Sequence, residues 1–401
     1  MTEAPKADAA RDACITGIGI VSSLGEGLEA TWQNLMAGNI NVDDKSNPPY
    51  SVHPLAPLDF DKQIPKKGDQ RQMEAWQRIG TYAAGLALDS AGIKGHIDIL
   101  SRADMIVAAA GGERDIGADA GVLSAVPGAA DPEALLNEKL MSDIRPTLFL
   151  AQLSNLLAGN ISIVHGVTGS SRTFMGEESA GVDAVRIAVA RINAAQSDVA
   201  LVGGANNAER KDRLMQYEFG HMLLRGGFAP VWQRQGRGGL AHGSFGAFLV
   251  IESRGHAERR GAKPIARLTA VMADRSSRNA DPVAPALRRM WRAISSKIKL
   301  GQAAFLSGAS GAEPATAGER VFLAEHPELP VRATGTYIGH AAEPQFPMNV
   351  ALAALAVSRG ALFPARDASG FERPMDGPLR QVIVTSVGHW RGEGLGLVEA
   401  A

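Results

Sequence analysis

Short apolar runs that break on glycine alternate along the chain with stretches whose apolar residues recur every three or four positions, a pattern that predicts layered α/β architecture. The first run, Ala13–Val21, is rich in β-branched residues and is followed by a helical pattern over Leu28–Met36. Further runs at Asp104–Gly111, Asp198–Gly204, Ala303–Gly308 and Gln381–Gly388 read as buried strands ending at small residues. Helical spacing covers Glu74–Ala91, Thr147–Leu157, Glu178–Ala195, Ala286–Ile298 and Met348–Ser358. Phe245–Ser253 reads as a strand, His256–Pro264 as a basic turn, and the chain from Ile265 as another strand. The expected organisation is a loose tail over 1–12, a first half over 13–255 and a second over 256–401. Each half opens on a helix-bearing α/β unit and closes on a glycine-rich strand, which makes a duplicated domain the expectation.

Composition narrows the function classes. The 401 residues are 45% hydrophobic with a net charge of -1, enough chain for two cores and too balanced for a protein that lives on nucleic acid. Cys14 is the one cysteine, so no intrachain disulfide forms and a reducing, cytoplasmic setting is expected. Met1–Asp12 has no apolar core of a leader, and no run approaches the roughly 18 apolar residues of a membrane span.

Three local motifs fail. Gly17, Gly19 and Gly25 suggest a dinucleotide turn, but Ser22 stands where the G-x-G-x-x-G spacing needs glycine, so tight strand–helix packing is the expected role. No two histidines share the H-x-x-x-H spacing, so neither a metal site nor any other cofactor is expected. Gly308-Ala309-Ser310-Gly311 is one residue short of a nucleophile elbow.

The order of segments carries more. Ile15-Thr16-Gly17-Ile18-Gly19-Ile20-Val21-Ser22-Ser23-Leu24-Gly25 followed by Trp32–Gly38, then Gln196–Gly204, Gly243–Glu252, His256–Lys263 and Gly339-His340, resembles the β-ketoacyl-acyl-carrier-protein synthases over nearly the whole chain. The resemblance implies a thiolase-like fold: two similar βαβαβαββ halves in a five-layer αβαβα body, assembled as a dimer. It implies condensation of an acyl group held on a cysteine with malonyl-carrier protein, assisted by two histidines.

Carried over residue by residue, that chemistry breaks. The family's cysteine lies three residues before a glycine that Gly181 matches, which places Glu178 at the cysteine position. Glu178 equally suits a helix start, where the macrodipole favours an acid. Gly308 stands at the first histidine position, Gly335 at a lysine position, and His340 alone matches the second histidine. The loop Ser386–Gly392 keeps glycines without the family's phenylalanine gate, so Val387, Gly388 and His389 are the expected substrate-binding residues. Arg288, Arg289 and Arg292 form a basic segment suited either to an acidic acyl carrier protein or to a solvated helix face.

The resemblance therefore implies a non-catalytic partner of an active ketosynthase, comparable with chain-length factors, in fatty-acid, polyketide or very-long-chain acyl assembly. Two alternatives stay open: an active synthase or malonyl decarboxylase using Glu178 and His340, and an acyl-binding scaffold homodimer.

Overall fold

A computed structural model describes residues 9–144, 152–234, 239–278 and 282–401. Along the continuous path of the main sheet, five strands come from the first half: β1 (Ala13–Ser22), β2 (Asp104–Ala108), β3 (Ser171–Phe174), β4 (Val199–Asn206) and β5 (Phe245–Ser253). Five more come from the second: β6 (Ala266–Ser277), β7 (Ala303–Ser307), β8 (Val331–Ala333), β9 (Gln381–Val387) and β10 (Arg391–Ala400). The first five lie in the order β3-β2-β4-β5-β1 and the second five in the order β8-β7-β9-β10-β6. If each set is numbered along the chain, both orders read 3-2-4-5-1. In each set the second strand runs parallel to the third and fourth, and the fifth runs antiparallel to the fourth and first. The duplication is thus explicit in topology. The two sets join where β1 and β6 pair, Cys14 opposite Arg267 and Ile15 opposite Ala266.

Helices occupy three layers around these strands. Their positions are α1 (Gly27–Ala37), α2 (Ala75–Ala91), α3 (Leu156–His165), α4 (Glu177–Asn193), α5 (Val283–Arg292), α6 (Ala315–Ala324) and α7 (Ala342–Arg359). Alternation along each strand sorts side chains to opposite faces. Val202, Leu249 and Ile251 from the first half meet Leu306, Val382 and Val384 from the second in one core around α4 and α7. Leu201, Phe248 and Val250 point the other way, onto α2 and α3. Phe305, Ile383 and Leu397 point onto α5 and α6. The sequence of layers is helix, sheet, helix, sheet, helix.

The glycines of β1 are packing residues: a Cβ on Gly17 would sit 2.4 Å from the Ala87 carbonyl oxygen, and one on Gly19 would sit 2.0 Å from that of Ala83, both on α2. Several boundaries differ from the sequence reading. Ala9–Arg11, expected within a loose tail, form a 3-10 turn, and Arg11 pairs with Asp198 at 2.5 Å. The expected basic turn contains a helix over Arg254–Arg259, because the Ser253 hydroxyl accepts from His256 N and caps it. The helix expected over Ala286–Ile298 starts earlier and ends at Arg292. That expected over Met348–Ser358 begins at Ala342: Pro344 lies in its first turn, where no backbone donor is lost, and Pro347 lies inside it. Of the helix expected over Thr147–Leu157, positions 147–151 fall outside the described residues, 152–155 are not helical, and α3 starts only at Leu156, running to His165. No described helix is long and apolar enough to cross a membrane.

Candidate functional site

Three loop-to-element junctions converge at one end of the central helix pair. The chain leaves β3, turns through Gly176 at φ +99° and Glu177 at φ +65°, and enters α4 with Glu178 in its first turn. The left-handed backbone at Glu177, a residue type that rarely adopts it, marks this junction as strained. Three residues on, a Cβ on Gly181 would meet the Glu343 carbonyl oxygen at 2.3 Å. Glycine there lets α4 and α7 cross in contact, which sinks Glu178 to 1% exposure.

His340 lies in the strap ahead of α7, after Gly339 at φ +73°. Its backbone N–H donates to Ala241 O at 2.8 Å and its carbonyl accepts from Gly243 N at 3.0 Å, fixing the strap to the segment that leads into β5. His389 sits in the turn between β9 and β10, which Gly388 N closes on Gly392 O at 2.9 Å. Arg278 clamps that turn by donating to the Gly388 carbonyl at 2.9 and 2.6 Å while pairing with Glu393 at 2.5 Å. A Cβ on Gly388 would lie 2.1 Å from the Arg391 carbonyl and 3.1 Å from Glu178 Oε2, so this turn closes over the carboxylate only with glycine.

Glu178, His340 and His389 thereby form a buried cluster. Glu178 Oε1 lies 2.8 Å from His340 Nε2 and 2.7 Å from His389 Nδ1, and the two rings stand 5.0 Å apart at 78°. The His389 Nδ1 contact is close in distance but not aligned as a hydrogen bond. His389 Nε2 meets Ser310 Oγ at 2.8 Å, and Ser310 O accepts from Arg234 Nη1 at 2.7 Å. Burial pushes the Glu178 carboxyl upward, but the two histidines outweigh it and hold the group well below the usual range. Burial lowers His340 against the pull of Glu178. Burial alone brings Arg234, which has no carboxylate partner among the described residues, down to about 9.

Gly308 is closed to a larger side chain: a Cβ would meet Thr385 O at 2.8 Å and Asn349 Nδ2 at 3.2 Å. Val387 is packed into the second-half core. Arg288, Arg289 and Arg292 lie on α5 in the outer layer; Arg288 pairs with Glu325, and Arg289 with Asp274 at 2.6 Å. A depression of about 420 Å³ beside the cluster is lined by Glu177, Arg213, Tyr217, Glu343 and Trp390 among others.

Sequence reasoning named all three members of the cluster but assigned His389 to substrate binding, and it missed Ser310, Arg278 and the Arg213–Glu343 pair. Its expectation of no metal site rested on local spacing. The donors at 178, 340 and 389 lie far apart in sequence, yet one atom from each falls within 4.8 Å of the others.

Comparison with known proteins agrees with this architecture. The family model for the β-ketoacyl synthase N-terminal domain matches residues 10–256, more than half of the chain. The 3-oxoacyl-[acyl-carrier-protein] synthase 2 of Vibrio harveyi is 25% identical over 269 residues, covering 64% of this chain and 61% of that protein's length. The chain therefore spans about three-fifths of that curated relative. Among solved structures, the ishigamide ketosynthase/chain length factor superposes with a TM-score of 0.78 at 19% identity, covering 98% of this chain and 99% of the other. A β-ketoacyl synthase from Burkholderia phymatum STM815 gives 0.79 at 18% identity, with 97% and 99% covered. At these identities the superpositions establish the fold, that of the thiolase-like ketosynthases.

Proposed function

We propose, from the premise that this chain belongs to the β-ketoacyl synthase family, that it is a non-catalytic ketosynthase-like subunit that pairs with a cysteine-bearing ketosynthase in fatty-acid or polyketide assembly. The observation that carries the reading is the start of α4. There Glu178, matched by resemblance to the nucleophile position, is a buried carboxylate held by two imidazoles. A carboxylate forms no stable thioester, and Cys14, the one thiol in the sequence, is buried in β1 with its pKa raised chiefly by that burial.

Pairing draws support from the sheet edges. The second-half edge strand β8 is buried throughout, whereas β3 at the first-half edge is partly exposed. It is flanked by Ile163 at 73% and Met175 at 62% exposure. An open edge beside exposed apolar side chains is the surface that a second subunit covers. The acyl carrier protein is the other partner, with the exposed arginines of α5 as its proposed contact.

The test incubates the purified chain with acyl- and malonyl-carrier protein, alone and with a candidate ketosynthase, and follows carbon dioxide and condensed product by mass spectrometry. Silence alone and partner-dependent product of altered length is the expected result. A second reading, decarboxylation of malonyl-carrier protein, is favoured by the two imidazoles around one carboxylate, which supply groups able to stabilise an enolate. Carbon dioxide from the chain alone, lost in Glu178→Ala or His340→Ala, would replace the first reading with the second.

A further inference from the structure

We propose that Glu178, His340 and His389 bind one divalent transition-metal ion, with zinc(II) the best match to the donor set. Two imidazoles and a carboxylate are a standard set of protein ligands for this ion. Here they come from three separately anchored elements: the first turn of α4, the strap hydrogen-bonded to Ala241 and Gly243, and the turn clamped by Arg278.

The arrangement also has an electrostatic gap. His389 Nε2 is engaged with Ser310 Oγ at 2.8 Å. If that nitrogen carries the ring's proton, the neutral ring points its Nδ1 lone pair at the Glu178 carboxylate, 2.7 Å away and without hydrogen-bond alignment. Two electron-rich atoms at that distance in a buried site repel unless a cation lies between them. The opposite tautomer, with the Ser310 hydroxyl donating to Nε2 and Nδ1–H turned to Glu178, a second proton on the ring, and a metal ion each meet the need, and of these a metal also uses the convergence of all three donors.

The Ser310 contact is the outer-shell hydrogen bond that ligating histidines make through their other nitrogen. Ser310 is itself held by Arg234 at its carbonyl and by Ala312 N at its hydroxyl, 3.1 Å. Tetrahedral zinc with bonds of about 2.1 Å sets its donors roughly 3.4 Å apart. The observed 2.7 and 2.8 Å therefore require the imidazoles to open by about 0.6 Å from Glu178. Metal binding here does not depend on the pairing reading, and it applies equally to a homodimer.

The chain, stripped with a chelator and dialysed, is titrated with zinc(II) by calorimetry and with cobalt(II) by visible absorption. One ion per chain and the intense bands of tetrahedral cobalt are expected. Glu178→Gln and His389→Phe should each weaken binding by about 100-fold, and Ser310→Ala, which leaves all three ligands in place, by roughly 10-fold. The exposed His221→Ala serves as control and should bind as the parent does. Absence of stoichiometric binding in the parent overturns the proposal and leaves a proton as the bridging cation. Binding that is unchanged in all three site variants, or lost in His221→Ala, overturns it by locating the ion elsewhere. Should Glu178→Gln or His389→Phe fail to fold, Ser310→Ala and the cobalt spectrum of the parent decide.

Discussion

The two central helices occupy the same place in the two halves, each following the third strand of its set, and each carries a buried glutamate as its second residue: Glu178 in α4 and Glu343 in α7. Both gain from the helix dipole at that position. What answers the charge differs. Glu343 is met by Arg213, with both carboxylate oxygens 3.0 Å from Nη2, whereas Glu178 is met by His340 and His389. A guanidinium beside a carboxylate keeps its charge across the accessible pH range, so the Glu343 pair is a fixed strut. An imidazole gives up its proton near neutrality and can turn a lone pair to a metal or an acid, so the Glu178 cluster can change state. Duplication produced two like positions, and partner choice made one a fixed strut and left the other able to change state.

The sharpest way to break this comparison is Glu343→Gln. It leaves Arg213, whose side chain is only 13% exposed, charged and without its carboxylate, and removal of one partner of a largely buried pair costs up to about 3–5 kcal/mol. Chemical denaturation should show a loss of that size, flat between pH 5.5 and 7.5, where the guanidinium is protonated in parent and variant alike. A loss below 1 kcal/mol would mean that water or Asp212 compensates the guanidinium and that the pair is not a strut.

Glu178→Gln should cost less, about 1–3 kcal/mol at pH 7, because burial already disfavours charge on His340 and no guanidinium is left without its carboxylate. Its pH dependence has a definite sign. The folded-state pKa of Glu178 is depressed, so its contribution is fully present above the unfolded value near 4.3 and is lost as pH falls through the folded value. Parent and variant should therefore differ most above pH 5 and converge on acidification below about pH 4. A difference that persists undiminished at pH 3 would show that Glu178 acts by packing and hydrogen bonding rather than by charge.

The strands and the long helices were legible because their periodicity is local. Ala13–Val21 and Phe245–Ser253 match β1 and β5 to within one residue at each end. The start of α7 was not: the helical spacing was read only from Met348, whereas the helix begins at Ala342 with one proline in its first turn and another, Pro347, that releases the Glu343 carbonyl, which lies against Gly181. The 3-2-4-5-1 repeat was invisible as sequence identity, since topology conserves strand order and burial pattern rather than residue type. At the site, Glu178 and His340 were reachable through resemblance, but the part played by His389 was not. Its contact with Glu178 spans 211 positions, and the turn that delivers it depends on Arg278, a residue with no local signature.

The smallest effect tests the same chemistry in solvent. Arg288 on α5 pairs with Glu325, which follows α6, in the outer layer of the second half, and both side chains are more than a third exposed. Water screens such a pair and the long side chains lose rotamer freedom in making it, so Arg288→Ala should change stability by less than about 1 kcal/mol, against several for Glu343→Gln. Arg289 pairs in the same exposed manner with Asp274. Because so little folding energy rests on these arginine pairs, exchanging them for a partner's carboxylates costs the fold little. If α5 docks an acidic carrier protein, the triple variant Arg288→Ala, Arg289→Ala, Arg292→Ala should keep its stability to within about 1–2 kcal/mol while its carrier affinity and the salt dependence of that affinity both fall. Unchanged affinity in a folded triple variant would return α5 to an ordinary solvated face and leave the carrier to contact the mouth near Arg213 and Trp390.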